Sequence, residues 1–79
     1  MGGLISLGLF VGASYQFEYT NHRGETAMRF VTFRDLQYGT ILPYYPEPTW
    51  LLLCDDHSKD GAPRSFALNK INVATWGAA

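Results

Sequence analysis

The chain has 79 residues, and 6 basic residues against 7 acidic ones give it a formal net charge of −1. That length supports a single domain, and the charge balance excludes a protein that wraps duplex DNA through a basic cluster alone, because counterion release needs many Lys and Arg together. With one cysteine, Cys54, there is no intrachain disulfide and no Cys/His cluster of zinc-site spacing, and a lone reduced thiol fits the cytoplasm.

A domain this small buries only about 60–65% of the surface its unfolded chain exposes, and its core supplies no more than about 3–5 kcal/mol of net stability. Stability then rests on packing five Tyr, five Phe and two Trp, whose rings bury large areas, or on a partner surface, self-association included.

Residues 4–11 form a short apolar run followed by Gly12-Ala13-Ser14. No Lys or Arg precedes it, as a secretory signal would require, and it is far shorter than the roughly 20 residues that span a bilayer. The expectation is an N-terminal apolar strand or partner-binding arm over residues 1–14, a single β domain over residues 15–76, and no membrane association. Tyr15, Phe17 and Tyr19 alternate with Gln16, Glu18 and Thr20, the period of a half-buried strand. Asn21-His22-Arg23-Gly24-Glu25 reads as a hairpin connection in which Gly24 supplies the positive φ. The two-residue period resumes from Thr26 to Phe33, with Met28 and Phe30 on one side and Ala27, Arg29, Val31 and Phe33 on the other, so Arg29 lies at an edge or is paired.

Residues 34–40 read as a polar connector with room for one helical turn. Pro43, Pro46 and Pro48 predict a stiff, extended stretch over residues 41–49 that is no central strand. The continuous apolar run from Trp50 to Cys54 predicts a buried strand, with Trp50 in the core, and residues 55–63 a charged loop. Phe66 and Leu68 share one face of a further alternating segment, and residues 69–76 form a last edge strand or a short 3₁₀ turn. No sustained helical period, internal repeat or low-complexity tract occurs. The predicted class is all-β: a small, strongly bent antiparallel sheet or an Sm/SH3-like barrel of about five strands.

Catalytic chemistry finds little support. Cys54 lies inside the apolar run, where a thiol is buried and inert rather than activated, so a Cys54–His57 pair is not expected to act. Asp55-Asp56-His57 with Asp60 does not match the ligand order of an EF-hand, and no P-loop, Rossmann, zinc-protease or hydrolase-elbow pattern occurs. Neither catalysis, metal nor cofactor is predicted. Binding has more behind it. Arg29, Arg34 and Arg64 fall at strand positions or strand ends, and Tyr38, Tyr44, Tyr45 and Trp50 crowd the proline-rich stretch and its exit. A guanidinium beside an aromatic platform suits phosphates, nucleotides and unstacked bases. The alternative is that the tyrosines cover the core and the arginines pair with Glu18, Glu25 and Asp35.

Phe17-Glu18-Tyr19-Thr20-Asn21, then Arg23-Gly24-Glu25, then Arg29 before Val31, resembles the opening of a WYL domain. Trp50-Leu51-Leu52 stands where that family carries its Trp-Tyr-Leu signature, and Arg64-Ser65-Phe66-Ala67-Leu68 with Lys70-Ile71 is similar to its closing segment, the likeness running over residues 15–73. The resemblance implies an Sm-like, strongly bent small barrel that senses ligands, nucleotides and nucleic acid among them. Leu51 replaces the signature tyrosine and Ala67 a second arginine, both at positions that shape the family's anion pocket. No helix-turn-helix precedes the domain, so it is not expected to regulate transcription by itself. Pro46-Glu47-Pro48-Thr49-Trp50-Leu51-Leu52 and the closing Arg64-Ser65-Phe66-Ala67-Leu68 are also similar to small phage and prophage proteins that have no assigned activity.

Two functional expectations follow. One is a non-enzymatic module for a phosphate-bearing ligand, a nucleotide or single-stranded nucleic acid, with Arg29, Arg34 and Arg64 on phosphate and Tyr44 or Tyr45 stacking. The other is a phage-encoded protein that inhibits or redirects a host protein, such as a defence component, in the host cytoplasm.

Overall fold

Alternation between apolar and polar residues becomes a run of antiparallel strands in the computed structural model, which describes residues 8–79 apart from the Tyr45 side chain. The strands are β1 (Ser14–Thr20), β2 (Thr26–Ile41), β3 (Tyr45–Asp56), β4 (Ala62–Ala67) and β5 (Ile71–Ala78), with 3₁₀ turns at His57–Lys59 and Leu68–Lys70. They form one sheet in the order β4-β3-β2-β1-β5. Each neighbouring pair is antiparallel.

The all-β expectation holds in its bent-sheet form, and the barrel form is corrected, because no ladder joins β4 to β5 among the described residues. β4 is instead tied to β1 by a side chain: the Ala67 amide on β4 donates to the Tyr19 hydroxyl on β1 at 3.1 Å.

The β1–β2 hairpin forms as its sequence predicts. Gly24 has φ +78°, and its amide donates to the Asn21 carbonyl at 3.0 Å. The Asn21 side-chain oxygen accepts from the amides of Arg23 and Glu25, which closes the turn locally. Tyr15, Phe17 and Tyr19 are buried, as are Val31, across from Tyr15, and Phe33, whereas Met28 and Phe30 face out.

Other expectations need correction. Residues 34–40 are neither connector nor helical turn but the second half of β2. The register shifts between Phe33 and Asp35, and again between Gly39 and Ile41. These irregularities interrupt the two-residue period, so the strand reads as a polar connector. Pro46 and Pro48 lie inside β3. They are tolerated because β4 pairs only with residues 51–56, which leaves the proline-bearing half of β3 at an edge. The charged loop shrinks too: Asp55 and Asp56 end β3, and Ala62 and Pro63 start β4. Trp50 is half-buried rather than core, its ring edge-on to Tyr38 at 5.2 Å. In the final stretch both predicted features occur, the 3₁₀ turn preceding β5.

Of the N-terminal segment, residues 1–7 lie outside the described residues. Leu9 and Ala13 pack against the core while Phe10 and Val11 are exposed. The segment is tied down by the Gly12 amide on the Phe33 carbonyl at 2.8 Å, and by the Tyr15 hydroxyl, which donates to the Gly8 carbonyl and accepts from the Phe10 amide.

The core is an aromatic cluster between strands that are distant in the sheet. Phe66 on β4 meets Phe17 edge-on at 5.3 Å and Tyr19 at 4.9 Å, although β3 and β2 separate β4 from β1. Trp76 stacks on Phe17 at 5.3 Å with planes 6° apart. The β1–β5 ladder is irregular between Gln16 and Glu18, and there the Thr75 hydroxyl accepts the Glu18 amide at 2.8 Å. That keeps the bulged backbone satisfied. Replacing Phe66, which is fully buried, by Ala removes the ring that joins β4 to β1 and costs about 3–5 kcal/mol. Since this equals most of the stability a core of this size supplies, Phe66→Ala should be largely unfolded by circular dichroism without denaturant; a urea midpoint near the parent's would contradict this packing.

Candidate ligand-binding cleft

The curl of the sheet brings together three segments far apart in sequence: the β1–β2 hairpin, the β2–β3 turn and the start of β4. Tyr19, Asn21, His22, Ile41, Tyr44, Pro63, Arg64 and Ser65 line a cleft of about 350 Å³ between them. Among the described residues no carboxylate lines it. His22 and Tyr44 stack at 3.8 Å with planes 22° apart, joining the hairpin to the β2–β3 turn. Arg64 is exposed and has no ion pair among the described residues. The arrangement offers a planar cation, a ring pair and the Ser65 hydroxyl around an opening without negative charge, which favours an anion carrying a flat group.

The five predicted site residues do not converge as a set. Arg29 is on the core side of β2, its side chain 13% exposed, with Nη1 3.8 Å from Oδ2 of Asp56. Asp56 is fully buried, and its Oδ1 accepts the Ser58 amide at the 3₁₀ turn. Arg29 Nε and Asp56 Oδ2 have no hydrogen-bond partner, so the pair is loosely matched and structural in character. Arg34 reaches Asp55 through Nε at 2.7 Å and Nη2 at 2.6 Å, a two-point contact to one carboxylate oxygen. These arginines do pair with acids, as the alternative reading anticipated, but with Asp55 and Asp56 rather than Glu18, Glu25 or Asp35. Arg64 and Tyr44 remain in the cleft; the Tyr45 side chain lies outside what is described.

Sequence reasoning missed His22, Ser65, Asn21 and Ile41. A lone histidine in a hairpin carries no periodic mark, and its place beside Tyr44 depends on the long-range curl. Pro63, Arg64 and Ser65 also line a neighbouring cleft of about 340 Å³. That one contains Asp35 and Asp55, so it is the poorer anion site.

Among the described residues no group of three His, Cys, Asp or Glu is placed to hold a metal ion, and no helix is long and apolar enough to cross a membrane. The His57 Nε2 is 2.7 Å from the Thr32 hydroxyl, on the far side of Asp55 and Asp56 in sequence from Cys54. Burial first, then the charges of Asp55 and Asp56, push the Cys54 thiol up to about 12. No family model, curated protein or solved structure matches the chain. What the fold and cleft define is a small all-β domain with one accessible guanidinium beside a ring stack.

A thiol raised from 9.0 to about 12 holds on the order of a thousandfold less thiolate at pH 8 than an ordinary cysteine, and the thiolate is the reacting form. Iodoacetamide should therefore modify Cys54 in urea but not in the native protein at pH 8. Native labelling at the rate of a free thiol would show that the strand around Cys54 opens readily.

Proposed function

We propose that the protein is a non-enzymatic binding module for a phosphate-bearing ligand, a nucleotide or single-stranded nucleic acid, held in the cleft between His22, Tyr44 and Arg64. The observation that carries this reading is Arg64 without an acidic partner among the described residues, on the wall of a cleft that no carboxylate lines. Its guanidinium is suited to two-point contact with phosphate oxygens. The exposed face of the His22–Tyr44 pair gives a base or other flat group a surface to stack on. Arg29 and Arg34, neutralised by Asp56 and Asp55, hold the sheet rather than the ligand.

Arg64 is an exposed surface residue, so Arg64→Ala should leave stability within about 0.5 kcal/mol of the parent. Losing a charge-assisted contact of roughly 1.5–3 kcal/mol should weaken binding about tenfold or more. Titration calorimetry with cyclic nucleotides and short oligonucleotides at low and moderate salt provides the measurement. Absence of heat with every ligand at low salt would remove the proposal.

A second reading, a protein that binds and redirects a host protein, draws on the apolar side chains the fold leaves open: Phe10 at 69% exposure, Val11 at 73%, Tyr38 at 62% and Leu42 at 71%. Scattered exposed apolar residues are ordinary, so this reading needs a partner in hand. Tagged protein should retain one stoichiometric partner from host lysate and lose it on Val11→Asp or Leu42→Asp; recovery of the bait alone would remove the reading.

A further inference from the structure

We infer that the cleft takes one nucleotide at a time, a single base with its phosphate, and is not a track for a run of single strand. This rests on the proposed reading of the cleft and narrows its ligand class.

The cations decide first. A strand-binding groove follows successive phosphates with successive basic groups. Of the six basic residues in the chain, Arg64 alone lines this cleft. Arg29 and Arg34 are taken up by Asp56 and Asp55. Lys59 lies in the 3₁₀ turn after β3, and Lys70 in the turn before β5, lining a separate depression with Glu47. Arg23 is in the hairpin but not in the cleft wall. One phosphate is therefore matched and a second is not.

The rings give the same count. His22 and Tyr44 are already in contact at 3.8 Å, so they present a stacked pair to one base rather than separated platforms to several. Among the described residues the remaining aromatic on the wall, Tyr19, is buried, and its hydroxyl is engaged by the Ala67 amide. Tyr38 and Trp50 pack edge-to-face on each other elsewhere on the β2–β3 ribbon. Volume agrees: about 350 Å³ is at the small end of the roughly 300–1,000 Å³ range for small-molecule sites. Ser65 stands next to Arg64 on the same wall, its hydroxyl available to a phosphate oxygen or a sugar hydroxyl.

The test titrates the intact protein with a nucleoside, inorganic phosphate, a nucleoside monophosphate and thymidine oligomers of increasing length, across a range of salt. The monophosphate should bind at least about tenfold tighter than either the nucleoside or phosphate alone, since charge contact and stacking each add roughly 1–3 kcal/mol. Oligomers should gain no more than about threefold per site over the monophosphate, and log affinity should fall with log salt at a slope of about −0.7, the value for one phosphate on a single strand. Tyr44→Ala should cost affinity for the monophosphate and not for inorganic phosphate, while Arg64→Ala should cost both. Affinity that climbs tenfold or more between one and five nucleotides, or a slope steeper than about −2, would overturn the inference and leave the anion-binding reading standing. No binding of any of these probes would overturn both.

Discussion

The packing of Phe66 against Phe17 and Tyr19 is the contact on which the rest of the structure depends. These rings belong to strands at separate places in the sheet, and a flat sheet would hold β4 and β1 three strand spacings apart, near 14 Å at the usual spacing of about 4.8 Å. Bringing their rings to centroid distances of 4.9–5.3 Å requires the sheet to curl. The bulge near Arg34 and the register shift near Thr40 let the long strands β2 and β3 follow that bend. Once the sheet is bent, the β2–β3 turn comes back over the β1–β2 hairpin and β4 lies beside both. The cleft is thus a product of the core's curvature, and its wall residues need no sequence relation to one another.

Two arginines of the central strand are cancelled by neighbouring acids. Asp55 and Asp56 end β3 side by side yet serve different arginines, on opposite faces of the strand. Asp56 is the more constrained: it is fully buried, caps the following turn through Oδ1, and offers its backbone carbonyl to the Gly61 amide at 2.9 Å. A buried carboxylate with an imperfect ion-pair partner is a poor source of net stability, but removal of one member leaves the other uncompensated at a cost of several kcal/mol. The pair therefore ties β2 to the β3–β4 turn more through the penalty of separation than through attraction.

How much of this could be read from the chain follows from range. Alternation at Tyr15, Phe17 and Tyr19, the Asn21–Gly24 turn and the apolar run at residues 50–54 are local signals, and each gave its element correctly. The second half of β2 was hidden because bulges break the period, so Asp35, Gln37 and Thr40 looked like a connector. Pro46 and Pro48 argued against a central strand, and the argument was sound for the half of β3 that carries them; what no local pattern shows is that a strand can be central at one end and an edge at the other. The site was less legible. Arg64 and Tyr44 stood out by chemistry, but which arginine stays free is decided by long-range pairing, and His22 is placed by the curl alone.

That dependence explains why Arg64, unlike Arg29 and Arg34 on β2, has no acidic partner among the described residues. β4 has a ladder neighbour on one side only, and the residue across from Arg64 on β3 is Cys54, a neutral thiol. The nearest acid in the next cross-strand position is Asp55, which lines the adjoining cleft with Arg64. Two contacts of 2.6–2.7 Å to Arg34 hold the Asp55 carboxylate, and a carboxylate so engaged is less available to a second guanidinium. Arg34 thereby acts on the cleft without lining it: by occupying Asp55 it leaves the positive charge of Arg64 uncancelled. In a chain with a net charge of −1, such local separation is what leaves a positive charge uncancelled beside the ring pair.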